Sequence, residues 1–214
     1  MIPLYDDQPR RRFPVVTLFL IFLNGLVFIG WQLRAGVPES VEIGALVPAE
    51  VAHSPTPDSF IHMAAAMFMH AGWMHLLGNM WFLWIFGASV EGSLGSGQFG
   101  LLYSVCGIAA DMAHIAFSPN SSVPLVGASG AISGVLGAYL ALHPRATIST
   151  LVPIFIFLRV VPIRAWVFLL FWIGLQVFAQ VHDRPGQGGV AYLAHIGGFF
   201  SGLLLIFYFK KARR

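Results

Sequence analysis

Charge is scarce in this sequence. Only 10% of its 214 residues are Asp, Glu, Lys or Arg, while 57% are hydrophobic. A soluble domain carries about 25% charged residues, so an ordinary water-soluble globular protein is excluded. Cysteine is scarcer still. The single Cys106 leaves no internal disulfide, and its apolar surroundings mark it as a small packing residue. The basic side chains are few and lie in the wrong places for a nucleic-acid partner. They gather at positions 10–12 and at 210, 211, 213 and 214, just outside apolar segments, which is a topology signal and not a phosphate-binding face. A His-Glu-x-x-His pattern is missing, as is the soluble hydrolase elbow Gly-x-Ser-x-Gly.

What the chain does have is long apolar runs. Each span needs about 20 residues, and the length suffices for several. The spacing of charges and prolines predicts six, at about 13–33, 64–89, 98–117, 125–142, 165–181 and 190–209. The first has no small-residue cleavage site soon after it and reads as a retained span. Residues 34–59 carry prolines 38, 48, 55 and 57 with four acids, and form a substantial loop. At 146–164 the apolar Ile154-Phe155-Ile156-Phe157 is bracketed by Pro153, Arg159, Pro162 and Arg164, which predicts an interfacial or extended connector rather than a span. Six spans put both termini on one side. Ten of the twelve Lys+Arg then fall on that side, so it is the cytoplasmic one, and a plasma (bacterial inner) membrane is expected. The expected fold is therefore an all-α, multi-pass membrane protein. It has a cytoplasmic segment 1–12, a six-span domain 13–209 with a cavity open to the outer face, and a basic cytoplasmic tail 210–214.

Polar groups at membrane depth are costly and point to function. Ser129, in Gly127-Ala128-Ser129-Gly130, starts span four at the outer face. His195, in Ala194-His195-Ile196-Gly197-Gly198, lies about one turn into span six at the same face. Small residues four apart, Gly130/Gly134 and Gly198/Gly202, allow close helix contact that brings the two together. A serine hydroxyl becomes a nucleophile when an adjacent base takes its proton, so the pair suggests nucleophile and base for peptide hydrolysis inside a bilayer. Either residue alone is more economically read as packing. His75 and Asn79, at i and i+4, share a helix face and offer donors for a developing oxyanion. His70, His75 and His195 as zinc ligands are the competing reading, with no acid beside them to support it. Asp111 either orients a histidine or pairs with His114. Glu91 is a structural anchor for loop backbone. Phe168, Phe171, Trp172 and Phe178 on span five are expected to seal a lipid-facing gate hinged at 183–189.

Three motifs together resemble the rhomboid intramembrane serine proteases: His70-x-x-x-x-His75-x-x-x-Asn79, Gly127-Ala128-Ser129-Gly130 and Ala194-His195-x-x-Gly198-x-x-x-Gly202. Glu91 with Leu94-Gly95 matches the family's second loop, and the likeness covers roughly residues 13–209. The resemblance implies a catalytic dyad of Ser129 and His195. The oxyanion hole would comprise His75, Asn79 and the Ser129 backbone N–H, with His70, Gly127, Gly130, Gly198, Gly202 and Glu91 supporting. It further implies transmembrane protein substrates cut near the membrane surface, with neither metal nor organic cofactor. Two departures stand out. Ile61-His62 occupies the place of a Trp-Arg pair found in some members. Ser133 occupies the place of an aromatic that stacks on the histidine in others, so His195 needs a different support.

Overall fold

The computed structural model describes residues 1–10, 12–155, 157–182 and 189–212. Most of the loop expected to hinge, 183–188, and the last two residues of the basic tail lie outside these. The chain is mostly helical. Four helices are long and apolar enough to cross a membrane: Val15–Ala35, Ser96–Phe117, Ala165–His182 and Tyr192–Phe209. It is an integral, multi-pass membrane protein.

Helix α1, Val15–Ala35, contains a π-helical stretch at Phe28–Gln32. The first N–H groups of a helix have no partner within it. Here the carboxylate of Glu91 takes them: Val16 N–H donates to Oε1 at 2.9 Å and Thr17 N–H to Oε2 at 2.8 Å. The hydroxyls of Thr17 and Ser96 donate to the same carboxylate at 2.7 and 2.6 Å. Glu91 thus ties three helices together at one end of the bundle.

Three short helices follow: α2 (Val37–Gly44), α3 (Pro48–His53) and α4 (Pro57–Ala66). Each carries a proline in its first turn, where no N–H is needed. A capping box of Thr56 and Ser59 starts α4. Leu46 and Leu125 exchange backbone hydrogen bonds, and Ala49 N–H donates to the Ser121 carbonyl, so this layer is tied to the loop before Ser129.

Helix α5 begins at Trp73. It runs unbroken through Trp73–Phe82, a π-helical turn at Leu83–Gly87, and Ala88–Leu94. The apolar helix expected as the second span therefore starts later than the sequence predicts, because α4 ends at Ala66 and the chain breaks before Trp73. Gly95, at φ +86°, reverses the chain within one residue and releases α6, Ser96–Phe117. Helix α7 is Ser129–Leu142, shorter than the expected 125–142 because residues 125–128 are not helical. It is the axis of the molecule, buried without interruption from Gly130 to Tyr139. Helix α8 is Ala165–His182 and α9 is Tyr192–Ala212.

The all-α expectation needs correcting. Strands β1 (Ile2–Asp6), β2 (Thr147–Ile154) and β3 (Phe157–Arg164) form an antiparallel sheet in the order β1-β2-β3. Segment 147–164 is rich in β-branched residues and broken by Pro153 and Pro162, which suit a short hairpin and oppose a helix. Segment 2–6 joins it from far away in the sequence, Ile2 pairing with Leu151 and Asp6 with Ile148. Asp6 then accepts hydrogen bonds from Ser89 on α5 and Tyr139 on α7, each at 2.7 Å, and Trp81 Nε1–H donates to the Pro3 carbonyl at 2.6 Å.

Candidate active site

The site lies where α7 and α9 begin. These helices meet backbone to backbone. A Cβ added at Gly202 would run into the Gly134 carbonyl, one at Gly198 into the Gly130 carbonyl, and one at Gly137 into the Phe199 carbonyl. Gly130 itself faces Ala110 of α6. No side chain separates the two axes, so the first residue of α7 and the first turn of α9 come within reach of each other. Ser129 Oγ and His195 Nε2 are 2.8 Å apart.

On its other side, His195 Nδ1 is 2.8 Å from Oε1 of Gln176, on α8. His195 is 9% exposed, and its ring is covered by Trp172, whose ring centroid lies 5.9 Å away at an interplanar angle of 33°. Trp172 also packs on Phe199. Of the four span-five residues expected at a gate, Trp172 is half-buried against His195 and Phe199 and Phe168 is buried, whereas Phe171 and Phe178 are exposed. Ser133 Oγ–H bonds back to the Ser129 carbonyl and does not support His195.

Facing Ser129 from α5 are His75 and Asn79. The Ala71 N–H donates to His75 Nδ1 at 3.3 Å, so in the neutral ring the proton sits on Nε2. Asn79 Nδ2 is buried with no hydrogen-bond partner. Both converge on Gly127: a Cβ there would lie 2.7 Å from His75 Cε1, 2.8 Å from Nε2 and 3.7 Å from Asn79 Nδ2. Gly127 also has φ +126°, a conformation that a side chain strains, and its N–H is held by the Ala66 carbonyl at 2.8 Å. Donors thus surround a small space beside Ser129 that only a glycine leaves open. The Ser129 N–H belongs to the first turn of α7 and has no helical acceptor.

His70 does not reach the serine. It is fully buried behind His75, ring edge to ring face at 5.1 Å, and its backbone is clamped by Gln32 through bonds of 2.9 and 3.1 Å. Glu91 lies near the start of α1, at the turn between α5 and α6, where it anchors helix N–H groups. Asp111 Oδ2 is buried with no hydrogen-bond partner, and both ring nitrogens of His195 are taken by other residues. Among the described residues no three His, Cys, Asp or Glu side chains converge as a metal ligand set.

A cavity of about 1290 Å³ opens onto this constellation. His75, Asn79, Ser129 and His195 line it with the loop 117–126 and residues 189–191. Gln176, Gln32 and the Ala71 N–H are absent from the sequence-based set. A faint signal exists for the first, since Gln176 and Gln180 are the polar residues of an otherwise apolar span five. Nothing local marks the other two.

The Rhomboid domain family model matches residues 57–212. "Rhomboid protease GluP" of Bacillus subtilis is 32% identical over 198 residues, 90% of this chain and 35% of that protein. "Rhomboid protein 1, mitochondrial" of Saccharomyces cerevisiae is 33% identical over 158 residues, 72% of this chain and 43% of the yeast protein. "RHOMBOID-like protein 6, mitochondrial" of Arabidopsis thaliana is 34% identical over 148 residues, 68% of this chain. The chain spans less than half the length of these relatives. With motifs, bundle and sequence in agreement, the chain belongs to the rhomboid family.

Proposed function

We propose that this chain is an intramembrane serine endopeptidase that cleaves transmembrane segments of other membrane proteins near the outer membrane surface. The observation that carries the proposal is the 2.8 Å contact of Ser129 Oγ with a buried His195, beside an Asn79 donor that has no partner. Ser129 Oγ attacks the scissile carbonyl carbon while its proton passes to His195 Nε2. The resulting oxyanion takes hydrogen bonds from His75 Nε2–H, Asn79 Nδ2–H and the Ser129 N–H, in the space left by Gly127. His195 then gives its proton to the leaving amine as the C–N bond breaks. A water from the cavity loses a proton to His195 and attacks the acyl ester, which releases the carboxylate and restores the serine. This scheme calls for no metal and no organic cofactor.

Six crossings complete the proposal: α1, α5, α6, α7, α8 and α9. At 1.5 Å per residue α7 is about 21 Å long, less than a bilayer core, but its residues Gly130–Tyr139 are buried among the other helices. Both termini are cytoplasmic in this arrangement, residues 1–12 and 210–214 flank the six-span domain 13–209, and the cavity opens to the outer face. The charge asymmetry supports a bacterial inner membrane. Mitochondrial relatives make an organelle membrane the other candidate.

A serine-reactive fluorophosphonate tests the nucleophile. Wild type in detergent should be labelled, and Ser129→Ala should not. Equal labelling of both proteins would refute Ser129 as the nucleophile.

A further inference from the structure

We infer that Gln176 is the positioning residue of this site: its side-chain oxygen fixes His195 in the one tautomer able to take a proton from Ser129. The inference rests on the proteolytic role proposed above. Gln176 stands on α8, one turn after Trp172, and its Nε2–H donates to the Trp172 carbonyl at 3.4 Å. That carbonyl can only accept, so the amide nitrogen must face it. The amide oxygen is thereby turned toward His195 Nδ1, 2.8 Å away. An amide oxygen also only accepts, so Nδ1 carries the proton and the Nε2 lone pair faces Ser129 Oγ–H. Trp172 covers the ring, so one turn of α8 sets both its plane and its protonation.

No carboxylate takes this part. The titratable groups that face His195 are His75 on α5 and His114 on α6, and His195 Nδ1 is held by Gln176 instead. A neutral acceptor suits a buried site, where a carboxylate would be costly to desolvate. When His195 gains the serine proton, the bond from Nδ1–H to Gln176 becomes charge-assisted and strengthens. Gln176 therefore acts on the transition state through the histidine, without touching substrate.

The test compares wild type, Gln176→Leu and Gln176→Glu in cleavage of a model transmembrane substrate across pH, with ¹⁵N NMR of histidine-labelled protein and a His195→Ala difference to assign the signal. Gln176→Leu should lower kcat about ten- to a hundredfold at unchanged KM, the size of effect seen when a partner that orients a metal-bound histidine is removed. Its His195 should show both neutral tautomers, where wild type shows only Nδ1–H. Gln176→Glu should recover most of the rate. It should also move the acid limb of the kcat profile to higher pH, because a carboxylate beside the ring favours imidazolium. Should the leucine variant fail to fold, the glutamate variant and the wild-type tautomer still decide the matter. Wild-type kcat and tautomer in Gln176→Leu, or an unmoved profile in Gln176→Glu, would overturn the inference. A wild type that neither cleaves nor is labelled at Ser129 would instead overturn the proteolytic role, and the NMR signal would still report the Gln176 bond.

Discussion

At the scale of single residues, the proposed mechanism separates groups that move protons from groups that wait for charge. Asn79 is proposed as the second kind, since its buried Nδ2 has no hydrogen-bond partner. Asn79→Ala should lower turnover about a hundred- to a thousandfold with little change in KM, and Ser129 should still react slowly with a fluorophosphonate. Steady-state kinetics on the purified variant checks this, and a raised KM at unchanged kcat would assign Asn79 to substrate binding instead. Gly127 keeps the space between Ser129, His75 and Asn79 open. Gly127→Ala combines strain at φ +126° with a methyl pressed on the His75 ring, and should cost about tenfold or more in turnover in protein that still inserts. The grouping of Ser129, His195, His75 and Asn79 was legible in the sequence because each is a polar residue set within or against an apolar run. Gln176 was not, because a lone glutamine on a span has several bland explanations, and its bond to a residue 19 positions away depends on how α8 packs on α9.

At the scale of elements, the contact between α7 and α9 decides whether the dyad forms. Gly137→Ala would drive a methyl into the Phe199 backbone and separate the helices, which should cost about 1–3 kcal/mol and most of the activity. Gly25→Ala on α1 is the control: its methyl meets nothing within 4 Å, so stability should stay level or rise slightly. Thermal unfolding in detergent distinguishes them, and equal losses would show that the glycine contact is not what holds the helices. The helices themselves were legible from charge-free runs and small-residue spacing, although span boundaries drifted where the 67–72 break and the non-helical 125–128 interrupt apolar sequence. The sheet was not legible. Extended character at 147–164 follows from its prolines and β-branched residues, but the pairing of residues 2–6 with β2 is a contact between distant segments that no local pattern announces.

At the scale of the whole molecule, topology and chemistry depend on each other, because Ser129 and His195 are useful only if they share a depth and a face. With both termini cytoplasmic, a cysteine placed at Ser121, in a background where Cys106 is replaced, should be labelled by an impermeant reagent outside intact cells, and one at Ser96 should be spared. The reverse pattern would invert the proposed orientation. The central claim is that Ser129 and His195 act as one catalytic unit. Its most direct measurement is the cleavage of a model transmembrane substrate by purified wild type, Ser129→Ala, His195→Ala and the double variant, each with and without EDTA. Each single change should abolish nearly all turnover, the double change should be no worse than either, and EDTA should leave wild type unaffected. Ser129→Ala protein that keeps more than a few per cent of wild-type turnover, or wild type silenced by the chelator, would contradict the serine mechanism.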